Sequence, residues 1–310
     1  MTSPRVSVVS AVFNGERYLR QSLESVLSQQ SVDLEFIVID DGSTDATSSI
    51  LADFARRDPR LRVLTQDNKG LTQALILGCA EARGEFIARH DLDDVSLPGR
   101  LARQAALLEA DTDLAFISCW AHVIGPKGEL LYEEKRPIET SAVLRRFGDG
   151  PSAHGSVMMR RAAYERAGGY RSQFRLGQDW DLWWRLFEIG GFAVVPMALY
   201  TYRFHESGVS ANRRREQERF GELGELCASA RKRGQPENAL LEEAERLSRD
   251  VAARARSSPA GGDYFIGRSL LRRQDPGART YLWRCVRREP WRLKAWVSLL
   301  QTALPWGRPR

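Results

Sequence analysis

The first 125 residues alternate between strand and helix rhythms of apolar and polar positions. Val6 to Phe13 is an apolar, β-branched run that stops at Asn14-Gly15. Leu19, Leu23, Val26 and Leu27 then recur at helical spacing. Leu34 to Ile39 reads as a second buried strand ending in Asp40-Asp41-Gly42. Beyond it, Ser43 is placed to cap a helix carrying Ile50, Leu51 and Phe54. Leu61 to Leu64 predicts a third strand, followed by Asn68-Lys69-Gly70 and a helix through Ala82. Phe86 to Ala88 predicts a fourth strand that runs into His90-Asp91-Leu92-Asp93-Asp94, with Pro98 near the start of another helix. Repeated strand–helix units predict an α/β fold with a parallel sheet covered by helices on both faces. Ligands of such sheets bind beyond the carboxyl ends of the strands. Here those ends carry Asn14-Gly15, Asp40-Asp41-Gly42 and the Asp91–Asp94 loop, so polar groups from three loops are expected on one edge.

The pattern changes after residue 115. Strand-like Ala115–Val123 and Leu130–Tyr132 flank a Gly125-Pro126-Lys127-Gly128 turn. A helical run, Asp179–Ile189, precedes two short strands, Phe192–Val195 and Leu199–Phe204. From Asn212 the chain reads as helices broken at Gly234–Pro236, Ser257–Gly262 and Asp275–Gly277. Two regions are therefore expected, a catalytic-type domain over 1–211 and a basic helical extension over 212–310.

Charge sharpens that division. Residues 1–210 hold 24 Lys/Arg against 28 Asp/Glu, and residues 211–310 hold 22 against 12. The basic tail, interleaved with Trp283, Trp291, Trp296 and Trp306, suits either an anionic membrane surface or a small helical bundle that packs Trp283, Trp296 and Leu299 against the catalytic domain. It carries no recognisable nucleic-acid module, so no nucleic-acid partner is expected. No apolar run approaches the roughly 18 residues of a membrane span. The N-terminal apolar segment reads as a core strand and not as a signal peptide, and a cytoplasmic location, with or without peripheral attachment to the inner membrane face, is expected. Cys79, Cys119, Cys227 and Cys285 have neither metal nor redox spacing and read as small buried hydrophobes.

Three constellations carry candidate chemistry. Asp91, Asp93 and Asp94 repel one another unless a cation sits among them, and an all-oxygen set favours Mg²⁺ or Mn²⁺. Such an ion would offset charge on a diphosphate leaving group. The plainer role for Asp94 is to cap the following helix. In Asp40–Asp45 a carboxylate can accept N–H groups of a nucleobase or ribose hydroxyls, while Ser43 and Asp45 serve the helix start. In Gln178-Asp179-Trp180-Asp181-Leu182-Trp183-Trp184-Arg185, Asp179 beside an indole suits a general base for a sugar hydroxyl. Trp180 suits stacking on the sugar, and Asp181 with Arg185 reads as a surface i,i+4 pair. A lone histidine is usually structural, but His154 lies just before a strand, and His205, coming where the catalytic domain should end, can return to the metal or the diphosphate.

The order of these motifs resembles glycosyltransferase family 2, with its GT-A fold. The resemblance rests on Val6–Val9 with Asn14-Gly15, Ile37–Asp45, Asn68–Leu71, Asp91–Asp94, Leu97-Pro98, Arg100-Leu101, His154, Gly168–Tyr170, Gln178–Trp183 and Tyr202–His205. It implies an inverting transfer of sugar from a nucleotide-diphosphate donor to a hydroxyl acceptor, a glycan or a lipid-linked glycan. Asp41 would bind the base beside the backbone of Ala11 to Phe13, and Asn68 and Asp91 would also contact the donor. Asp91 and Asp93 would form the D-x-D metal pair, joined by His205, and Asp179 would be the base. Trp180 and His154 would meet the acceptor. The family more often shows Glu-Asp where this chain has Gln178-Asp179, and the base position is kept. A nucleotidyltransferase is disfavoured, because no Gly-rich, basic loop follows the first strand. An inactive membrane-associated scaffold is the other alternative.

Overall fold

The computed structural model describes residues 3–136, 150–205, 208, 213–253 and 259–303. Contacts group the chain into two compact units. The first comprises 1–121, 134–202 and 218–253, and the second 122–133, 203–217 and 254–310.

In the first unit the expected strand–helix alternation is present. β1 (Val6–Val12), α1 (Glu16–Leu27), β2 (Leu34–Asp40), α2 (Thr47–Arg57), β3 (Leu61–Thr65), α3 (Leu71–Ala80) and β4 (Phe86–Arg89) follow in order. β1 pairs in parallel with both β2 and β4, and β2 with β3. Side-chain alternation then sorts the core onto two faces. Val6, Val8, Phe36, Val38, Phe86 and Ala88 pack with Leu19, Leu23 and Leu51 on one side. Val9, Ile37, Ile39 and Ile87 pack with Ala74, Leu75 and Cys79 on the other. Each fully buried Val, Leu, Ile or Phe among them contributes about 1.5–3 kcal/mol.

The sheet is not parallel throughout. After β4 come β5 (Val95–Ser96), α4 (Arg100–Ala110), β6 (Leu114–Ile124), β7 (Leu130–Glu134), a 3₁₀ turn at His154–Ser156, β8 (Met158–Arg160), α5 (Arg161–Arg166), α6 (Gln178–Phe187) and β9 (Gly191–Arg203). Among the described residues the strand order is β3-β2-β1-β4-β8-β6-β9-β5, with β7 paired to β6. β8 lies antiparallel to both β4 and β6, so those two run the same way. Only three residues long, β8 fills the gap that the α4 crossover leaves between them. The two strands expected at 192–195 and 199–204 are one strand of 13 residues. Pro196 does not split it, because proline's fixed φ suits extended backbone and the strand is exposed at Pro196 and Met197.

Helix starts also differ from the sequence reading. α2 begins at Thr47, and Ser43 Oγ instead accepts the Asn14 N–H at 3.0 Å. Asp94 does not cap α4. Its Oδ2 accepts the Tyr200 hydroxyl at 2.7 Å, and Gly99, at φ +78°, precedes the helix.

α7 (Arg214–Lys232) and α8 (Asn238–Ala253) bury Phe220, Leu223, Cys227, Ala244 and Val251 around Phe174. The compact units therefore do not follow one cut near 212, since 218–253 groups with the sheet. The second unit contains α9 (Ala260–Arg272), α10 (Ala278–Arg288) and α11 (Leu293–Gln301). Ala260, Cys285, Val286 and Ala295 form its core. Asp263, fully buried, bridges Arg284 and Arg288, and Tyr281 Oη donates to Glu129 at 2.6 Å. All four cysteines are buried and free, as their spacing suggested. No helix of the described residues is long and apolar enough to cross a membrane. Trp306 lies outside the described residues.

Candidate active site

The loops after β1 and β2 are laced together by short polar side chains. Asn14 Oδ1 accepts the Thr44 N–H at 2.8 Å, Thr47 Oγ1 accepts Gly15 N–H, Asp45 accepts Glu16 N–H, and Glu16 accepts Ala46 N–H. Ala11 and the half-exposed Phe13 stand at this end of β1. Asp40 is spent inside its own loop, accepting Ser43 N–H and the Ser48 hydroxyl. Asp41 is nearly buried and accepts three donors: Gln66 Nε2 at 2.6 Å, Lys69 N–H at 2.9 Å and Gly70 N–H at 2.8 Å. It thus folds the 66–70 loop, with exposed Asn68, over the end of β2. Gly42, at φ +76°, is required there, because a Cβ would sit 3.0 Å from Asn68 N.

The Asp91–Asp94 loop is pinned from beneath. His90 is buried between Ser22 Oγ at 2.8 Å and Ser96 Oγ at 3.2 Å. Burial first, then the Arg100 charge, drive its pKa well below the ordinary histidine value. Tyr200 Oη accepts the Asp91 N–H at 3.1 Å and donates to Asp94. A Cβ at Gly155 would fall 1.9 Å from that oxygen, so the chain crosses Tyr200 only as glycine.

Sequence reasoning passed over the residue that organises the centre. Arg89, at the end of β4, is fully buried. Its guanidinium donates to Val9 O at 2.5 Å, His90 O at 2.9 Å, Asp91 Oδ1 at 2.5 Å and His154 Nε2 at 3.3 Å. A signal did exist, a lone arginine at the end of an otherwise apolar strand run. Burial pushes the Asp91 carboxyl up, but the charge and hydrogen bond of Arg89, together with the neighbouring His154 and His90, hold it below the usual carboxylate range. His154 Nε2 also lies 2.7 Å from Tyr170 Oη. Burial, then Arg89, hold the His154 pKa down to about 3, so the ring is neutral and its Nε2 is an acceptor.

Asp179 sits in the first turn of α6, behind Gly177 at φ +64°. Its Oδ1 accepts Trp180 N–H at 3.0 Å. Burial raises its pKa to about 6, and the Asp91 charge adds to the rise. Trp180 packs edge-on to Trp183 at 5.0 Å, and Trp183 to His154 at 6.3 Å, which makes an aromatic wall. The expected surface pair Asp181–Arg185 is instead buried. Asp181 accepts from Arg185 at 2.6 Å and also from Arg171, which bridges on to Glu237 of α7–α8. Burial follows because α7 and α8 cover this side of α6, a fact no local pattern carries.

The first unit therefore holds Ala11, Phe13, Asp41, Asn68, Asp91, Asp93, His154, Asp179 and Trp180, and His205 belongs to the second. Among the described residues no three His, Cys, Asp or Glu side chains gather as a metal cage.

A family model described as Glycosyl transferase family 2 matches residues 7–169. The chain belongs to glycosyltransferase family 2. It is 34% identical over 217 residues to EpsE of Bacillus subtilis, named as a glycosyltransferase, covering 69% of this chain and 77% of that one. It is 28% identical over 213 residues to a chondroitin synthase of Escherichia coli, covering 67% of this chain and 30% of that one. Solved structures share its fold. The mannosyltransferase PcManGT of Pyrobaculum calidifontis, in complex with GDP-Man and Mn²⁺, superposes with a TM-score of 0.57 at 19% identity, covering 98% of this chain and 87% of that one. S. aureus TarS 1–349 superposes with 0.54 at 16% identity, covering 96% and 88%. The fold of this glycosyltransferase is GT-A, with C-terminal helices following.

Proposed function

We propose that this glycosyltransferase moves a sugar from a nucleotide-diphosphate donor to a hydroxyl acceptor, with inversion at the anomeric carbon. The observation that carries the reading is Asp179, a carboxyl raised to about 6 by burial, beside the Trp180–Trp183 wall and within electrostatic reach of Asp91. A carboxylate tuned upward is a stronger base than an exposed one and is still ionised at neutral pH. Asp179 takes the proton of the acceptor hydroxyl. The oxygen attacks the anomeric carbon as the bond to the diphosphate breaks on the opposite face. One displacement needs no enzyme nucleophile. Trp180 stacks on the acceptor sugar, and His154 supports that wall through its ring.

Asp41, with Ala11, Phe13 and Asn68, is proposed to hold the nucleotide. Its three internal hydrogen bonds shape the 66–70 loop as part of that task. Asp91 and Asp93 suit a divalent cation, Mn²⁺ or Mg²⁺. Both are half-buried oxygen ligands rather than sealed ones. When bound, such an ion supplies positive charge for the departing diphosphate. Neighbours of the same fold, TarS with UDP-GlcNAc and PcManGT with GDP-Man and Mn²⁺, support the donor class and the metal. The chondroitin synthase relative supports a glycan acceptor, as in polysaccharide or lipid-linked glycan assembly. A cytoplasmic enzyme, peripheral at the inner membrane face, fits this reading.

The test is a panel of nucleotide sugars scored for metal-dependent hydrolysis and transfer, with Asp179→Asn alongside wild type. Turnover of the variant should fall roughly 10²–10⁴-fold with nucleotide affinity little changed. Near-normal turnover would remove Asp179 from the mechanism.

A further inference from the structure

The helices of the second unit carry an apolar surface that their own core leaves uncovered. Trp283 (49% exposed), Trp291 (75%), Leu293 (75%), Trp296 (39%), Val297 (56%) and Leu300 (69%) all fall between residues 283 and 300. The opposite faces of α10 and α11 are filled, with Leu282, Cys285, Val286 and Ala295 buried. On α11, Leu293, Trp296, Val297 and Leu300 recur at helical spacing on one outward side. Trp283 of α10 meets Trp296 edge-on at 6.4 Å, which joins the two helices into one patch. Trp296 Nε1 donates to Pro290 O, so its polar atom is satisfied while its ring stays half-open. A soluble surface has no need of three exposed indoles together.

The charge around the patch selects its partner. Residues 278–301 contain six Lys/Arg and one Asp/Glu. That acid, Glu289, is bridged by Arg292, and Arg284 and Arg288 reach buried Asp263. Arg279, Arg287 and Lys294 are exposed on the same two helices. A two-fold contact between copies would bring these cations against their own images. Anionic headgroups complement them, and indole rings settle at the headgroup level of a bilayer. With 11 and 9 residues, α10 and α11 are too short to span a bilayer and suit lying in its surface plane.

We propose that the α10–α11 face, through Trp283, Trp291, Leu293, Trp296, Val297 and Leu300, docks the chain onto an anionic lipid surface. This deepens the peripheral placement proposed above and is independent of the donor, the metal and Asp179.

The experiment is co-sedimentation of the full chain with vesicles of phosphatidylcholine, with and without phosphatidylglycerol, at low and high salt. Binding to the anionic vesicles at low salt, a blue shift of tryptophan emission and release by salt are expected. Leu293→Glu with Leu300→Glu should weaken binding at least roughly tenfold, with far-ultraviolet circular dichroism and melting unchanged. Arg287→Glu with Lys294→Glu is the second variant, should the first not fold, and should abolish the preference for phosphatidylglycerol. Wild type remaining in the supernatant at low salt would overturn the proposal. So would binding indifferent to lipid charge and to both variants. A concentration-dependent dimer that Leu293→Glu with Leu300→Glu converts to monomer, with no vesicle binding, would assign the face to a second copy instead.

Discussion

Arg89 and Asp179 show how single residues set the site. Arg89 is a cation without solvent, and its nearest charge is Asp91. Removing one member of such a pair strands the other, which costs about 3–5 kcal/mol. Arg89→Met should therefore lower the melting temperature sharply, whereas Arg89→Met with Asp91→Asn should recover much of the loss. Additive effects in that double-mutant cycle would show that the pair is not coupled. Asp179 works in the opposite sense. Its folded pKa, about 6, lies above the ordinary carboxyl value of 3.8, so the folded chain binds the extra proton. Stability linked to this group is present at low pH and falls as pH rises through that window. Asp179→Asn is expected to stabilise the chain at neutral pH by on the order of 1–3 kcal/mol while impairing turnover. As the proposed base, Asp179 must be ionised, so kcat/KM should fall as pH drops below about 6, and that limb should be missing from any residual activity of Asp179→Asn. The place of Asp179 was legible because a carboxylate beside an indole at a helix start is a local pattern. The lone arginine at the end of β4 was visible but its role was not, since its partners Val9, Asp91 and His154 come from three separate segments.

At the scale of elements, β9 and α6 act as braces. β9 delivers Tyr200 beneath the Asp91–Asp94 loop, where its hydroxyl joins Asp94 Oδ2 to Asp91 N–H. Tyr200→Phe keeps the ring but leaves Asp94 short of a buried donor, and should cost about 1–3 kcal/mol by urea titration. Its effect on donor affinity should exceed that of a distant core substitution of equal cost. α6 is held by Asp181 between Arg171 and Arg185. Asp181→Ala strips buried Arg185 of its carboxylate and leaves Arg171 with Glu237 alone, so a loss of about 3–5 kcal/mol is expected. A loss within the range of exposed pairs, below about 1 kcal/mol, would mean that water reaches this network. The i,i+4 spacing of Asp181 and Arg185 was readable, and their burial was not. Spacing places two residues on one side of a helix but does not say what covers that side.

On the scale of the whole molecule, the chain crosses between its units more than once, so a linear cut misjudges them. Residues 218–253 give Phe220, Leu223, Cys227, Ala244 and Val251 to a core around Phe174, and Glu237 to Arg171. A chain ending at residue 211 should therefore melt lower and aggregate more readily than one ending at 253, compared by light scattering during thermal unfolding. Equal behaviour would show that α7 and α8 are dispensable to the first unit.

Local pattern was enough for the parallel half of the sheet, the two faces of its core, the burial of the cysteines and the loops that carry Asp41, Asp91 and Asp179. Those features follow from periodicity and turn chemistry, which act over a few residues at a time. Long-range packing settled that β8 enters antiparallel between β4 and β6. It also decided that Arg89 and Tyr200 fasten the acidic loop, that Asp41 is filled by its own neighbours and that Trp283 and Trp296 stay exposed. Each of these depends on which distant segment arrives at a given surface. A buried charge or an uncovered indole is a property of that meeting, and local sequence holds only one side of it.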